Sequence, residues 1–218
     1  MNDVKMKEGI KEKIFTRKDK YTSVGDYLVD KTGSLLDIGS RDKILLSKID
    51  NLLIKYKSAD IEGNHDYIMN LEGPLQLEDR AFDYVVALDV LEHVGNIHQA
   101  FDELLRVTEQ TFIMALPNMA SYIHRFSYLF KGKLATDKYA LWRTNQGDRH
   151  RWLTIQDDII QFVEGRIKNT SFIVEKMVIE YEGNSFTSRL MKLFFKIGLV
   201  SESFMSKRVI FFLSRKIN

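Results

Sequence analysis

The sequence predicts an α/β fold built on a doubly wound, parallel sheet. Residues 84–88, inside the stretch FDYVVALDVLEHV, are apolar without polar alternation, as expected for a short strand buried on both faces. Apolar runs of this kind recur along the chain and alternate with segments of helical periodicity. That alternation is typical of parallel strands joined by helices that cover both faces of one sheet.

Composition limits the classes of protein that fit. With 218 residues, 44% of them hydrophobic and 28% charged, the chain can bury a sizeable core in one domain. The net charge of +2 does not call for a nucleic-acid partner, and the absence of Cys excludes disulfides and thiolate metal sites. The start, MNDVKMKEGIKEK, lacks the apolar core of a secretory signal, and no run is long enough to span a membrane. We therefore expect a soluble, cytoplasmic protein; its oligomeric state is left open.

Residues 1–33 are predicted to form an N-terminal arm and a helix. Residues 1–20 are rich in Lys and Glu, which favours a frayed arm or surface helix over core; a partner-binding arm is the alternative. Residues 21–31 carry Val24, Tyr27 and Leu28 near helical spacing, with Gly33 as the expected stop. Residues 34–218 are predicted to form a single domain.

The first predicted strand, residues 34–38, is followed by Gly39 and then by a predicted helix with apolar residues at 44–46 and 49. Backbone amides at such a turn can receive a nucleotide or a carboxylate, although a lone Gly there is also typical of a plain tight turn. A second strand, residues 52–59, ends at Asp60. Asp60 follows Gly39 by about 20 residues, the spacing at which an acid meets a ribose hydroxyl in dinucleotide folds. A loop acid is the alternative interpretation of Asp60.

The remaining predicted strands and helices continue this alternation along the chain. A third strand is predicted at residues 67–69, a helix at 96–107 with capping-box spacing of Asn96 and Gln99, and a fifth strand at 111–116. Residues 118–170 are too long for a simple crossover and are predicted to be a helical insertion on the substrate side. Its helices are expected around Tyr122 to Phe130 and from Thr154 to a stop at Gly165. A sixth strand at 171–180, an apolar helix at 190–200 and a last strand at 208–213 complete the chain.

These residues resemble the class I S-adenosylmethionine-dependent methyltransferases, in particular the broad bacterial group with an LDVLEH-type stretch. LLDIGS at residues 35–40 is similar to the first motif of that family, and Asp60 stands where its ribose-binding acid stands. FDYVVALDVLEHV, FDELLRV and FIMALPN are similar to its fourth strand, the following helix and its fifth strand. The resemblance covers residues 34–118 well and the rest loosely.

The resemblance implies a Rossmann-like sheet of seven strands, the last antiparallel, with S-adenosyl-L-methionine across the carboxyl ends of the first strands. Carried over by position, it places the methionine end of the cofactor near Asp37, Gly39 and Ser40, the ribose at Asp60, the adenine between Asn70 and Leu71, and the sulfonium near Asp89. Arg41, Ile61 and Val90 lie in the same stretches and complete the predicted cofactor-binding set.

Two positions depart from the family pattern. Arg41 stands where the family usually has a second glycine, and Lys43 where another small residue is common. A residue other than Gly at positive φ costs on the order of 1 kcal/mol. Either the turn has a different shape or the affinity for the cofactor is reduced. Asn70 stands where an acid is usual.

A hydroxyl acceptor would benefit from a base, and the predicted catalytic candidates are His93, His150 and Asp148, with Asp89 as a further alternative. The alternative for His93 is a structural role, because a His at a helix start is often a hydrogen-bonding group. His150 and Asp148 belong to the segment DRHRW at residues 148–152. This segment either resembles an acceptor-side segment of the family or is a solvated loop anchored by Trp152. The five His residues show no compact ligand spacing such as HxxxH, so no metal is predicted.

The predicted function is methyl transfer from S-adenosylmethionine to a small-molecule or glycan/lipid-linked acceptor, with oxygen as the acceptor atom. A binding or regulatory protein of this fold without turnover is the alternative, favoured by Arg41 and Lys43. A nicotinamide oxidoreductase is disfavoured because GSRDKI lacks GxGxxG. Nucleic-acid methylation is disfavoured because LPNM replaces the (N/D)PP(Y/F) stretch of the DNA-methylating relatives. Peripheral membrane contact through the basic, aromatic helices stays open.

Overall fold

The computed structural model describes residues 10–49, 52–143, 148–181 and 186–216. The elements in chain order are β1 (Ile10–Thr16), α1 (Lys20–Leu28), β2 (Gly33–Ile38), β3 (Ile54–Asp60), β4 (Tyr67–Ile68), β5 (Phe82–Leu88), α2 (Ile97–Arg106), β6 (Thr108–Pro117), α3 (Tyr122–Lys131), α4 (Gln156–Ile167), β7 (Phe172–Tyr181), α5 (Phe186–Lys196), α6 (Glu202–Met205) and β8 (Ser206–Arg215). Short 3₁₀ turns occupy Leu45–Lys48 and Leu91–His93.

All the described strands form one sheet, in the order β1-β7-β8-β6-β5-β2-β3-β4. Every neighbouring pair is parallel except the two that involve β8, which runs antiparallel to both β6 and β7. The predicted fold class, a mostly parallel α/β sheet with an antiparallel last strand, is confirmed. The sheet has eight strands rather than the predicted seven.

The additional strand is β1, in a stretch for which the sequence predicts an arm or a surface helix. That prediction is wrong for residues 10–16, which pair in parallel with β7 from Ile10 opposite Val174 to Thr16 opposite Glu180. Its charged residues resemble a surface segment because β1 lies at the edge of the sheet, where Lys and Glu protect the unpaired side. The ring of Phe15 stacks on Tyr181 with 5.4 Å between centroids.

Helices pack on both faces of the sheet, because consecutive apolar side chains of each central strand point to opposite faces. Leu36 and Val85 face one layer, where they pack with Phe101 of α2 and Val163 of α4. On the opposite face, the core includes Leu35 and Val86 of the sheet together with Leu28 of α1 and Leu45 of the first 3₁₀ turn. The sheet is therefore doubly wound, as predicted.

Three local predictions are corrected. The segment after Gly39 forms only the 3₁₀ turn Leu45–Lys48 instead of a helix. Gly33 begins β2 rather than ending α1, and α4 continues through Gly165 to Ile167. Gly165 lies inside α4 without positive φ, and an added Cβ there would meet no atom within 4 Å, so no close packing requires glycine at this position. Among the described helices, none is long and apolar enough to cross a membrane.

Candidate active site

The carboxyl end of β2 provides a buried acid and a tight turn. Asp37 accepts a hydrogen bond from the Tyr56 hydroxyl at 2.7 Å. Burial raises the pKa of Asp37 to about 7, although the Tyr56 hydrogen bond and the charge of Lys20 act in the opposite direction. Gly39 follows with φ of 67°, and a Cβ there would lie 2.5 Å from Val90 Cγ2. The turn therefore requires glycine both for its backbone angle and for the close approach of the β5 end.

Asp60, at the end of β3, already bonds to the neighbouring turn. Its Oδ2 accepts from the backbone N–H of Arg41 at 3.0 Å, and its Oδ1 accepts from the N–H of Ile61 at 2.7 Å. Arg41 and Lys43 have φ of 34° and 53°, so the backbone keeps the left-handed conformation that favours glycine although neither residue is Gly. The carboxylate of Asp60 stabilises this turn through its bond to the Arg41 N–H, although the family resemblance assigns the same carboxylate to the ribose.

The other predicted cofactor residues lie at the same edge of the sheet. The Ser40 hydroxyl is buried and lies 3.0 Å from His65 Nδ1. Beyond β4, Asn70 is exposed and accepts from the N–H of Glu72, whereas Leu71 is buried. Ile61 is 53% exposed, and Val90 packs against the core beside Gly39. The structure thus places the predicted set around the ends of β2, β3, β4 and β5.

Asp89 lies one residue beyond β5 and is neutralised by two cations. Arg208 donates two hydrogen bonds to its carboxylate, at 2.6 and 2.8 Å, and Lys20 Nζ donates one at 2.8 Å. Burial alone would raise the pKa of Asp89, but the charges of Arg208 and Lys20 outweigh burial and lower the pKa below its usual range. Arg208 also binds Glu180 of β7. Sequence reasoning missed Lys20 and Arg208, which come from α1 and β8, because no motif marks either of them.

Glu92 is a fully buried acid with no hydrogen-bond partner for either carboxylate oxygen in the described part of the chain. It lies in the 3₁₀ turn after β5, three residues after Asp89. Burial, followed by the charge of Asp89, raises the pKa of Glu92 well above its ordinary value. The sequence predicts that Glu92 lies with Asp89 and His93 just beyond the carboxyl end of a strand, where ligands bind, but Glu92 was not among the predicted catalytic or cofactor-binding residues.

The turn that carries Glu92 and His93 is bonded to the DRHRW segment. His93 Nδ1 lies 2.9 Å from the Arg149 carbonyl, the Arg151 N–H donates to the Glu92 carbonyl at 2.8 Å, and Trp152 Nε1 donates to the Val94 carbonyl at 2.8 Å. The sequence left two interpretations of this segment open. Trp152 does anchor it, and the anchored segment lines a cleft of about 720 Å³ bordered by Gly95, Tyr139, Arg149, His150, Arg151 and Trp152.

His150 faces Glu92 and His93 across this junction. Its Nε2 lies 3.9 Å from Glu92 Oε1, and its ring meets the His93 ring edge-on with 4.7 Å between centroids. Burial lowers the pKa of His150 to about 4, and the positive charge of Lys138 acts in the same direction. Burial also lowers the pKa of His93. Both imidazoles are therefore neutral at physiological pH, and each keeps a nitrogen lone pair that can accept a hydrogen bond or bind a cation.

Asp148 has a different environment from the two histidines. It forms ion pairs with Lys138 and Arg143, and the Arg41 guanidinium lies 3.5 Å from its Oδ1. The Lys138 hydrogen bond lowers the pKa of Asp148, with the charges of Lys138, Arg143 and Arg41 acting in the same direction. A carboxylate held by three cations is a poor proton acceptor, so these contacts suit Asp148 to fixing its segment rather than to acting as a base.

Potential metal ligands come together only in three dimensions. One ligand atom from each of Glu92, His93 and His150 lies within 4.8 Å of the others. The sequence predicted no metal because it shows no compact spacing, yet the fold joins two segments that are more than 50 residues apart. The arrangement can chemically accept a proton, orient a hydroxyl or bind a divalent cation.

Comparisons with known proteins identify the family and the fold of the chain. Residues 64–199 match the sequence profile of the family described as methionine biosynthesis protein MetW. No significantly similar protein was found among curated sequences. Among solved structures, the small RNA methyltransferase HEN1 is similar at 14% identity and a TM-score of 0.57, over 93% of this chain and 26% of that chain.

Two further structures are similar over nearly their whole length. They are SAM-dependent methyltransferases from Thermotoga maritima (10% identity, 90% of this chain and 88% of that chain, TM-score 0.55) and from Archaeoglobus fulgidus (13% identity, 92% and 96%, TM-score 0.52). The predicted resemblance to the S-adenosylmethionine-dependent methyltransferases is thereby confirmed. The fold is theirs, S-adenosylmethionine is the cofactor of that enzyme class, and the chain belongs to the MetW family.

Proposed function

We propose that the chain transfers the methyl group of S-adenosylmethionine to an oxygen atom of a small-molecule or glycan/lipid-linked acceptor. The observation that carries this proposal is that neutral His93 and His150 and the unpaired Glu92 lie beside Asp89, at the sheet edge that also carries Asp37 and Asp60. In open α/β sheets ligands bind at the carboxyl ends of the strands.

The residues at the ends of β2 and β3 fit the cofactor. Gly39 lets the end of β5 approach the turn closely, and Asp60 offers carboxylate oxygens to two ribose hydroxyls once its bond to the Arg41 N–H yields. Asp37, Ser40, Asn70, Leu71 and Val90 would take the roles that the family resemblance implies. The bound cofactor supplies an electrophilic methyl group on a positively charged sulfur.

The cluster of Glu92, His93 and His150 would bind the acceptor hydroxyl, with His93 or Glu92 as the base and His150 as a hydrogen-bonding group, because a pKa of about 4 makes His150 a weak base. Methyl transfer needs in-line approach of the oxygen, and positioning of this kind can supply roughly 7–11 kcal/mol of the barrier. The cleft beside His150 is open to an acceptor, and its rim from Arg149 to Trp152 is fixed by the bonds to the Glu92 turn. Residues 118–170, the predicted substrate-side insertion, provide most of the cleft lining.

An apolar part of the acceptor would find a surface on α3. Leu129 and Phe130 are 72% and 77% exposed, and a groove of about 440 Å³ beside them is lined by Met119, His124, Arg125, Tyr128, Leu129 and Leu134. Exposed apolar side chains next to Arg and Lys are typical of a surface that receives a lipid or lies on a membrane interface. This feature favours a lipid-linked acceptor within the proposed class.

A binding or regulatory protein without turnover is the second candidate. The observation that favours it is the occupation of Asp60 by the Arg41 N–H, together with the Arg41 guanidinium 3.5 Å from Asp148. In this arrangement Arg41 links the cofactor edge to the acceptor-side segment. Cofactor binding therefore separates the two candidates before any acceptor is known.

The first experiment is calorimetric and thermal-melt titration with S-adenosylmethionine, S-adenosylhomocysteine and NAD in parallel. A ligand at about 100 times its Kd should stabilise the fold by roughly 2.7 kcal/mol. We expect selective stabilisation by the two adenosyl compounds, lost in Asp60→Ala and retained in Glu62→Ala, an exposed acid two residues further along. No binding of either compound would favour the second candidate, and binding of NAD alone would refute both.

Turnover is then read as radiolabelled methyl transfer to candidate acceptors, separated into organic and aqueous fractions. Label in the organic fraction that is lost in Leu129→Glu would support a lipid-linked acceptor, and label in the aqueous fraction alone would contradict it. His150→Ala should lower turnover more than it lowers affinity for S-adenosylhomocysteine, because the imidazole acts on the acceptor side. Unchanged turnover would remove His150 from the catalytic set.

A further inference from the structure

Glu92 is a buried acid whose carboxylate has no partner among the described residues. Its carboxylate is 0% exposed, and neither oxygen has a hydrogen-bond partner in the part of the chain that the structure describes. Burying an unpaired carboxylate is costly, and buried acids in native proteins are nearly always hydrogen-bonded, paired or bound to a metal. The cations of this region are engaged elsewhere, since Lys20 and Arg208 bind Asp89. No side chain in the described part of the chain therefore satisfies Glu92, and its carboxylate oxygens are available to a bound group.

The hydrogen bond of His93 fixes which of its ring nitrogens is free. The Nδ1 atom lies 2.9 Å from the Arg149 carbonyl, which can only accept, so the proton of the neutral ring is on Nδ1. The Nε2 lone pair is therefore available. Histidines that bind metals nearly always donate the other ring N–H to a carbonyl or carboxylate in this way.

His150 has the same arrangement through a tyrosine. The Tyr139 hydroxyl gives its single proton to the Trp152 carbonyl at 2.7 Å, so it can only accept from His150 Nδ1, which lies 3.3 Å away. His150 thus also carries its proton on Nδ1 and leaves the Nε2 lone pair free. This free atom lies 3.9 Å from Glu92 Oε1, too far for a hydrogen bond but suited to two ligands of a shared ion.

We propose that Glu92, His93 and His150 bind a divalent transition-metal ion. Two imidazoles and one carboxylate, with ligand atoms within 4.8 Å of one another, match the three-ligand sets of catalytic zinc sites and of non-haem iron sites. Nitrogen ligands favour such ions over Mg²⁺ and Ca²⁺, which prefer oxygen. His150 also lines the open cleft, so positions on the ion would remain for an acceptor or water.

The site is built by the junction between the LDVLEH stretch and the DRHRW segment. The bonds from Arg151 and Trp152 to the carbonyls of Glu92 and Val94 hold the two segments together without any ion. The ligands are thus brought close by backbone pairing before binding, which lowers the conformational cost of forming the site. Asp89 is not among the ligands because Arg208 and Lys20 occupy its oxygens.

The role of the ion rests on the proposed function, whereas its binding does not. A hydroxyl bound to the ion would have a lowered pKa and would lose its proton to water in the open cleft. The alkoxide oxygen would then form the new bond to the methyl carbon as the carbon–sulfur bond breaks, and the sulfur would keep the electron pair. The two imidazoles would then act as ligands rather than as bases.

The test is metal binding to the full, tag-free chain after treatment with a chelator. Zn²⁺ is titrated by calorimetry, and Co²⁺ is added to a second sample because its visible spectrum reports the ligands and their geometry. We expect one ion per chain, with a spectrum typical of mixed nitrogen and oxygen ligands. Glu92→Gln and His150→Ala should each weaken binding by more than the roughly 10–100-fold that loss of an outer-shell partner costs. His98→Ala, which changes an exposed histidine outside the cluster, should bind as the parent does.

A second readout separates loss of binding from loss of folding. In chelator, Glu92→Gln should melt at least as high as the parent, because it removes an unpaired buried carboxylate. Zn²⁺ should then raise the melting temperature of the parent and leave that of Glu92→Gln unchanged. Absence of binding by the parent, or equal binding by the parent and Glu92→Gln, would overturn the proposal. Neither readout uses a methyl acceptor, so a failed methyl-transfer assay would leave the metal result standing.

Discussion

At the scale of single residues, Asp37 shows how a predicted cofactor residue acquires unusual chemistry. It is 4% exposed at the end of β2, and the Tyr56 hydroxyl is its hydrogen-bond partner. Burial raises its pKa to about 7, from an ordinary value of 3.8. Between these two pH values the folded chain holds a proton that the unfolded chain has released. Asp37 therefore makes the protein less stable as the pH rises through this range.

Asp37→Asn should remove that pH dependence while keeping the Tyr56 hydrogen bond, because the amide oxygen is also an acceptor. One pKa unit corresponds to about 1.4 kcal/mol, so the variant should gain on the order of 2–4 kcal/mol over the parent between pH 4 and pH 8. Urea unfolding without cofactor at a series of pH values measures this. The matched control is Asp66→Asn: hydrogen bonds from Ser58 and Lys57 lower the pKa of Asp66, so its contribution is lost as the pH falls. Parallel curves for parent and Asp37→Asn would contradict the assignment.

Site residues could be predicted only where a local motif carried them. Gly39, Asp60 and Asp89 lie at the ends of strands that the sequence shows as apolar runs. Their position at the same edge of the sheet could therefore be predicted. Glu92, Lys20 and Arg208 take their roles from contacts between distant segments: Lys20 and Arg208 reach Asp89 from α1 and β8. No spacing along the chain encodes such contacts, which depend on the order of strands in the sheet.

At the scale of elements, the junction between the 3₁₀ turn and residues 148–152 is the part most open to test. Trp152→Phe keeps an aromatic ring and removes the Nε1–H that bonds the Val94 carbonyl at 2.8 Å. We expect a loss of about 1 kcal/mol in unfolding free energy, because a carbonyl loses its partner. Hydrogen exchange at the Arg151 amide, which donates to Glu92, should become faster as the junction opens locally.

The matched control for this change is Trp142→Phe. Trp142 is 71% exposed, against 38% for Trp152, so its replacement should alter stability by less than about 0.5 kcal/mol. Equal effects of the two substitutions, or unchanged exchange at Arg151 in Trp152→Phe, would mean that the Trp152 bond does not hold the junction together.

The helices and strands themselves were largely predictable, and the exceptions have physical reasons. Central strands such as β5 and β6 are continuous apolar runs, which only burial on both faces explains. β1 escaped prediction because an edge strand with Lys and Glu on it resembles a solvated arm. The apolar residues after Gly39 were expected to form a helix, but the backbone has positive φ at Arg41 and Lys43 and then forms only the 3₁₀ turn Leu45–Lys48.

At the scale of the whole molecule, β1 closes one edge of the sheet. Deletion of residues 1–16 would expose the unpaired side of β7, and we expect the truncated protein to form oligomers or aggregates. Size-exclusion chromatography over a range of concentrations measures this, with deletion of residues 1–9 as the control that keeps β1. The same elution for the parent and the longer deletion would show that β7 needs no cover.

The position of β8 has a consequence for how the protein is made. β8 lies between β6 and β7, although all the other described strands precede it along the chain. During synthesis, the nascent chain therefore holds two parts of the sheet that cannot join until β8 is inserted between them. Contacts of such long range form slowly and leave strand edges exposed in the meantime. Arg208 can reach Asp89 only once β8 is in place, so the charge balance of Asp89 depends on the insertion of β8 between β6 and β7.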